Sequence, residues 1–188
     1  MSKAGEFTMY ESTARPFQIQ IRTQPYVHNN RTYNVICAAA VQESNDVIVV
    51  DMCHVSHSTT PLKVIFPNGK LSAGTIVSRS LSYMSPVVNI TFSSGAFVTV
   101  KAYETFLVIF AHSAKEDFNA TRGLCGIFDG NIDNDLTRPN LHVDLFPPNF
   151  QDPFADSWRI PQWLSIFHKF GIRKRNTKGK YENIVPDH

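Results

Sequence analysis

The chain has 188 residues, 43% of them apolar, 12% aromatic and 18% charged, with a formal net charge of +2. That length accommodates one domain and a tail around an ordinary core, and charge below the roughly 25% of average globular usage excludes wholesale disorder. Near-balanced charge argues against a dedicated nucleic-acid binder, and no apolar run approaches the ~18 residues of a membrane span.

In chain order, residues 1–6 are polar and lack the hydrophobic region of a signal peptide. Phe17-Gln18-Ile19-Gln20-Ile21-Arg22 alternates with period two, as a half-buried strand does. Residues 34–41 and 47–53 are rich in β-branched side chains and flank a polar stretch at 42–46, which predicts a hairpin. Asn68-Gly69, after Val64-Ile65-Phe66, predicts a type I′ hairpin turn. Ser93-Ser94-Gly95 predicts a turn joining strands at 87–92 and 96–102. The run 106–110 is continuously apolar, as expected of a strand covered on both faces. About eight short strands with turn signals this regular predict a mainly β chain, an antiparallel β-sandwich or barrel.

After Ala111 the texture changes to Asp, Asn, Gly and Pro, which predicts an irregular Asp/Asn-rich lobe closed by Phe154-Ala155-Asp156-Ser157-Trp158. Trp163, Ile166, Phe167 and Phe170 then recur at i, i+3, i+4 and i+7, the spacing of a short amphipathic C-terminal helix. The charge is unevenly placed. From Pro161 onward six basic residues face Glu182 and Asp187, whereas residues 129–156 hold six aspartates against Arg138. Such a negative run needs a counter-cation or plentiful water.

Four clusters could carry chemistry. Asp129, Asn131, Asp133 and Asp135 alternate like the start of an EF-hand loop, and hard cations such as calcium take oxygen donors so arranged. Asn134 and Asn140 stand where that loop needs Gly and Glu, so an EF-hand is excluded; calcium and a solvated, self-bonded turn stay open. Cys53-His54-Val55-Ser56-His57, even with His112, lacks the ligand spacing of a zinc site and reads as surface histidines. Gly123-Leu124-Cys125-Gly126 would hold a nucleophile if His112 or His142 sat beside it; a disulfide partner and a small buried hydrophobe are the structural readings. Arg173-Lys174-Arg175 suits proteolytic processing, an anionic polysaccharide or a solvated linker, the last being the commonest.

Three glycosylation sequons begin at Asn30, Asn89 and Asn119, and point to secretion. At Asn89 a sugar requires the side chain to face solvent from an alternating strand. If the hairpin turn centres near Asn45, Cys37 and Cys53 lie opposite one another, and an oxidising compartment would pair them. Cys125 is then left over.

Gly123-Leu124-Cys125-Gly126-Ile127-Phe128-Asp129-Gly130-Asn131, then Asn134-Asp135-Leu136, then Phe154-Ala155-Asp156-Ser157-Trp158, resemble the two-part motif of the von Willebrand factor type D domain. Ala4-Gly5-Glu6-Phe7-Thr8-Met9-Tyr10 is similar to that family's early strand, and the resemblance covers about residues 4–160. It implies a β-sandwich with a calcium loop in an extracellular mosaic protein of adhesion, matrix or mucus assembly. Its partners would be neighbouring domains of the same polypeptide and other extracellular proteins. Carried over by position, Asp129, Asn134 and Asp135 match the calcium loop, Asn131 would add its backbone carbonyl, and Asp133 lies in the same stretch.

The departures are informative. Ile127 replaces an Asn ligand, and the family's opening strand, with a further aspartate, would precede Met1. The usual CxxC becomes Arg122-Gly123-Leu124-Cys125, leaving no thiol pair for exchange, and no cysteine stands near Phe7, where the partner of Cys125 would lie. Only Asp152-Pro153 remains of the family's self-cleavage motif. The expectation is a domain over 1–160 lacking its first strand, with a short helix and basic linker at 161–188. It would be a non-enzymatic extracellular interaction module with calcium as cofactor; the rivals are a hydrolase using Cys125 and a metal-free scaffold.

Overall fold

Ten antiparallel strands form two sheets in the computed structural model, which describes residues 4–53, 62–144 and 153–172. Strands β1 (Glu6–Ser12), β2 (Phe17–His28), β3 (Arg31–Glu43), β4 (Asp46–Asp51), β5 (Lys63–Ile65) and β10 (Thr121–Arg122) make the first, in the order β10-β1-β2-β3-β4-β5. Strands β6 (Ile76–Ser82), β7 (Ser85–Thr91), β8 (Phe97–Ala102) and β9 (Leu107–His112) make the second, in simple sequence order. The chain is therefore mainly β, as its alternation predicts.

The sheets pack face to face. Tyr10, Phe17, Ile19, Val41, Ile48 and Val50 from one meet Val88, Ile90, Phe92, Val98, Val100 and Leu107 from the other. Phe17 is the hinge of this packing, with Tyr10 and Phe92 edge-on to it at 5.5 and 5.6 Å between ring centres. The first sheet also buries its outer face. There Ala38, Ala40, Val47 and Val49 lie beneath Ile166 and Phe167 of α2 (Ile166–Lys169).

The predicted hairpin around Asn45 forms, with Ala39 opposite Val50 and Glu43 opposite Asp46. Its register is one residue tighter than a turn centred on Asn45 gives. Cys53 nevertheless reaches Cys37 because the chain curls just past the strand, where Asp51 Oδ1 accepts the Cys53 N–H at 2.8 Å. The disulfide is formed, with Cα atoms 4.7 Å apart.

Three local expectations are corrected. Asn68-Gly69 makes no hairpin, because β5 and β6 belong to different sheets. The Gly69 N–H bonds to the Phe66 carbonyl at 3.0 Å, which puts Pro67 at the second turn position, where its fixed φ belongs. The apolar run 106–110 is not covered on both faces: β9 is an edge strand, and Phe110 is 52% exposed. The C-terminal helix is broken into a 3-10 turn, Gln162–Leu164, and α2, so Trp163 swings out to 79% exposure while Ile166 and Phe167 stay buried.

Candidate functional site

The lobe that carries the acidic loop begins at β10, where Thr121 and Arg122 pair with Ser12 and Glu11 of β1. The chain then stays on the same edge: Leu124 and Cys125 donate to the Thr8 and Met9 carbonyls at 3.1 and 3.0 Å. Gly123 permits this approach, since a Cβ there would stand 2.7 Å from the Met9 carbonyl oxygen. The second motif half completes the edge. Phe154 and Trp158 are buried at the two ends of one helical turn, α1 (Pro153–Ser157), and Thr8 N–H bonds to the Trp158 carbonyl at 3.0 Å. The Ile160 N–H reaches the Glu6 carbonyl at 2.8 Å. Both halves of the motif thus satisfy one edge of β1, the strand that would otherwise be left open.

The first of those halves, with the strands that precede it, lies inside the segment that a family model matches, and Phe154–Trp158 lies beyond it. The family model described as von Willebrand factor type D domain matches residues 8–142. The chain belongs to this family. Domains of the family act in multidomain protein interactions and are typically extracellular.

Within this von Willebrand factor type D domain, the acidic loop is organised by its own side chains. Asp129 Oδ1 accepts the Asn131 N–H and Oδ2 accepts Asn134 Nδ2, both at 2.7 Å. The Asn134 amide is the main cause that holds the Asp129 carboxyl below its ordinary pKa. Asn131 Oδ1 caps the 3-10 turn Ile132–Asn134 by accepting from Asp133 N–H at 3.1 Å. Asp135 faces the motif, its Oδ1 taking the Ile127 N–H at 3.1 Å in space that a Cβ on Gly126 would fill. Asp133 is exposed. Asn134 Oδ1 is buried and, among the described residues, accepts nothing. Among the described residues, no three His, Cys, Asp or Glu side chains gather as a ready metal cage.

Beside the loop lies a hollow of about 670 Å³ lined by Tyr10, Phe110, His112, Cys125, Phe128 and Asp135 among others. Cys125 is a free thiol, exposed as a residue, yet the atoms packed around its sulfur raise its pKa by desolvation and the Asp135 charge raises it further. A nucleophilic cysteine needs the opposite shift. His142 is instead 3.6 Å from Asp144, and the His112 ring lies 5.4 Å from Phe97. His54, His57, Asp152 and the Arg173-Lys174-Arg175 cluster lie outside the described residues.

The sequons fall in three settings. Asn30 is exposed in the two-residue turn joining β2 to β3, with φ of 58°. Asn119 is exposed at φ 59°. Asn89 is half-buried in β7, where the Thr99 hydroxyl donates to its Oδ1 at 3.0 Å.

Sequence reasoning missed a buried charge cluster under the lobe. Asp117 has no exposed side-chain surface and pairs with Arg15 at 2.7 Å. Tyr10 donates its hydroxyl to the same carboxylate at 2.8 Å, and Arg15 also pairs with Glu43. No local pattern signals a pair separated by 102 positions.

Proposed function

We propose that this domain is a non-enzymatic interaction module of a secreted or cell-surface mosaic protein, and that calcium braces its acidic loop. The supporting observation is the closure of β1 by both motif halves, which fixes the lobe rigidly against the sandwich and presents one continuous surface to neighbouring domains and extracellular partners. The Cys37–Cys53 disulfide supports an oxidising compartment.

The donor set fits calcium. It consists of oxygens alone, and the buried Asn134 Oδ1 with no partner lies on the side chain that reaches Asp129. Asp129 and Asn134 would hold the ion, with Asp135 and the Asn131 carbonyl drawn from the same stretch and Asp133 at its margin. Bound calcium would neutralise the clustered carboxylates. The chain's own part is to hold the loop: Asn131 caps the 3-10 turn, and Asp135 ties it to Ile127.

Thermal unfolding in millimolar calcium and in excess chelator tests this. Binding to the folded state at a hundredfold excess over Kd adds about 2.7 kcal/mol. For a chain of this length the shift in Tm is roughly 5–10 °C, and Asp129→Ala abolishes it. Identical curves with and without chelator would show a loop sustained by the Asp129–Asn131–Asn134 bonds alone, and the domain would be a metal-free scaffold.

A further inference from the structure

The two sheets differ in what covers their outer faces. The first is capped by Ile166 and Phe167. In the second, Val88, Ile90, Val98, Val100 and Leu107 point into the core, so Asn89, Phe97, Thr99, Val108 and Phe110 point outward by strand alternation. Neither core cluster of the described residues extends over that outward face, although Val87 on it is only 7% exposed and Phe110 borders the hollow beside the lobe. Asn89 stands at its centre. Its cross-strand neighbours are Ser78 and Thr99, with Phe110 next beyond Thr99 in the same row. The Thr99 bond occupies Oδ1, and among the described residues Nδ2, the atom that would carry a sugar, donates to nothing.

We propose that Asn89 carries an N-linked glycan and that this glycan is the cover of the second sheet's outer face. In the transfer, Nδ2 loses a proton and bonds to the anomeric carbon of a lipid-pyrophosphate-linked oligosaccharide. The anomeric C–O bond breaks and the pyrophosphate leaves with its electron pair. Transfer takes place on the unfolded chain, so a position inside a sheet is no barrier. Once folded, small Ser78 and Thr99 leave room for the first sugar. The C–H face of that ring lies against Phe110 and Phe97, and its hydroxyls meet water. Uncovered, half-exposed Phe110 with partly buried Phe97 and Val108 leaves an apolar strip on a face that also carries Thr91 and Lys101, and such a strip favours association. The inference rests on the extracellular reading, because only the secretory pathway makes this transfer.

The test is expression of the full chain through the secretory pathway of mammalian cells, with glycopeptide mass spectrometry at all three sequons. Asn89 is expected to be occupied. Thr91→Ala, which removes the sequon and keeps Asn89, should raise binding of an apolar fluorescent dye several-fold and shift the protein toward dimers. Thr91→Ser, which keeps the sequon, should behave as the parent, and Thr32→Ala, which removes only the Asn30 sugar, should change neither readout. Trimming the glycans enzymatically on the folded protein should reproduce the Thr91→Ala result without any refolding. An unmodified Asn89 beside an occupied Asn30 overturns the inference and leaves the extracellular reading standing. Three unmodified sequons in a chain retained inside the cell overturn both. Occupancy with no change in dye binding or association on its loss overturns the role as cover.

Discussion

Among the described residues, Asp117 is the most deeply buried charge. Burial by itself would raise its pKa, but hydrogen bonds from Arg15, Ser12 and Tyr10 and the Arg15 charge outweigh that and hold it below the ordinary value. Asp46 behaves alike: burial is outweighed by Thr75 and Ser72, whose hydroxyl and amide bind it at 2.5–2.9 Å. A depressed folded pKa means stabilisation that is complete above the unfolded value, near 3.9, and lost as pH falls through the folded one. Stability should therefore be flat near neutrality and fall steeply below about pH 4, as followed by circular dichroism. Asp117→Ala leaves Arg15, among the described residues, with Glu43 as its one remaining ion-pair partner, at a cost of about 3–5 kcal/mol by denaturant titration, and it also flattens the acid limb. An unchanged midpoint would mean that water replaces the carboxylate. At this scale the sequence shows which residues can ionise but not which are buried, because Arg15 and Asp117 meet only when the β1–β2 corner closes over the lobe. Gly123 and Gly126 belong to a readable motif, yet their reason, the Met9 carbonyl and the Asp135 carboxylate standing where a Cβ would go, is tertiary.

Among the elements, hairpins divide by how their turns are written. Asn29-Asn30 joins β2 to β3 with both φ angles positive, a conformation asparagine tolerates. Tyr83-Met84 joins β6 to β7 in the same way, at φ 48° and 66°, with residues that do not. Their side chains are 96% and 91% exposed, so packing does not compensate. The Lys101 ammonium, 5.9 Å from the Tyr83 ring, contributes about 0.5 kcal/mol at such a site. Left-handed strain in a bulky residue costs about 1–3 kcal/mol, so strain is the larger effect. The double substitution Tyr83→Asn, Met84→Gly should therefore stabilise the protein by about 1–2 kcal/mol; a lowered Tm would show that the tip makes contacts in the folded chain beyond Lys101. This turn was illegible because no Gly, Asn or Asp marks it, whereas Ser93-Ser94-Gly95 was legible because Gly95 takes φ 87°. The Asn68-Gly69 signal was real but local. It marks a turn, and only the partition of β5 and β6 between sheets decides that the turn is a crossing.

For the whole molecule, the decisive event is the return of residues 162–172 to the first sheet. Residues 162–172 cross its outer face, where Ala38 and Ala40 make a shallow seat for Phe167. The Arg22 guanidinium lies 4.4 Å from the Phe167 ring centre and donates to the Ile172 carbonyl at 2.8 Å, while Gln20 Oε1 accepts the Ile166 N–H at 2.7 Å. Phe167→Ala opens a cavity over this sheet and should cost about 3–5 kcal/mol in urea unfolding; a loss below 1 kcal/mol would mean that the segment detaches freely. By itself the sequence determined the β class, the main hairpin, the Cys37–Cys53 pairing and the family motif, since each is written in alternation, composition or spacing over a few dozen residues. Only the tertiary structure decided which sheet each strand joins, which face of β9 is bare, how Asp117 is neutralised and why two motif halves some thirty residues apart serve one strand edge. Those outcomes depend on unpaired backbone and buried charge finding partners across the chain, and such partners have no fixed spacing.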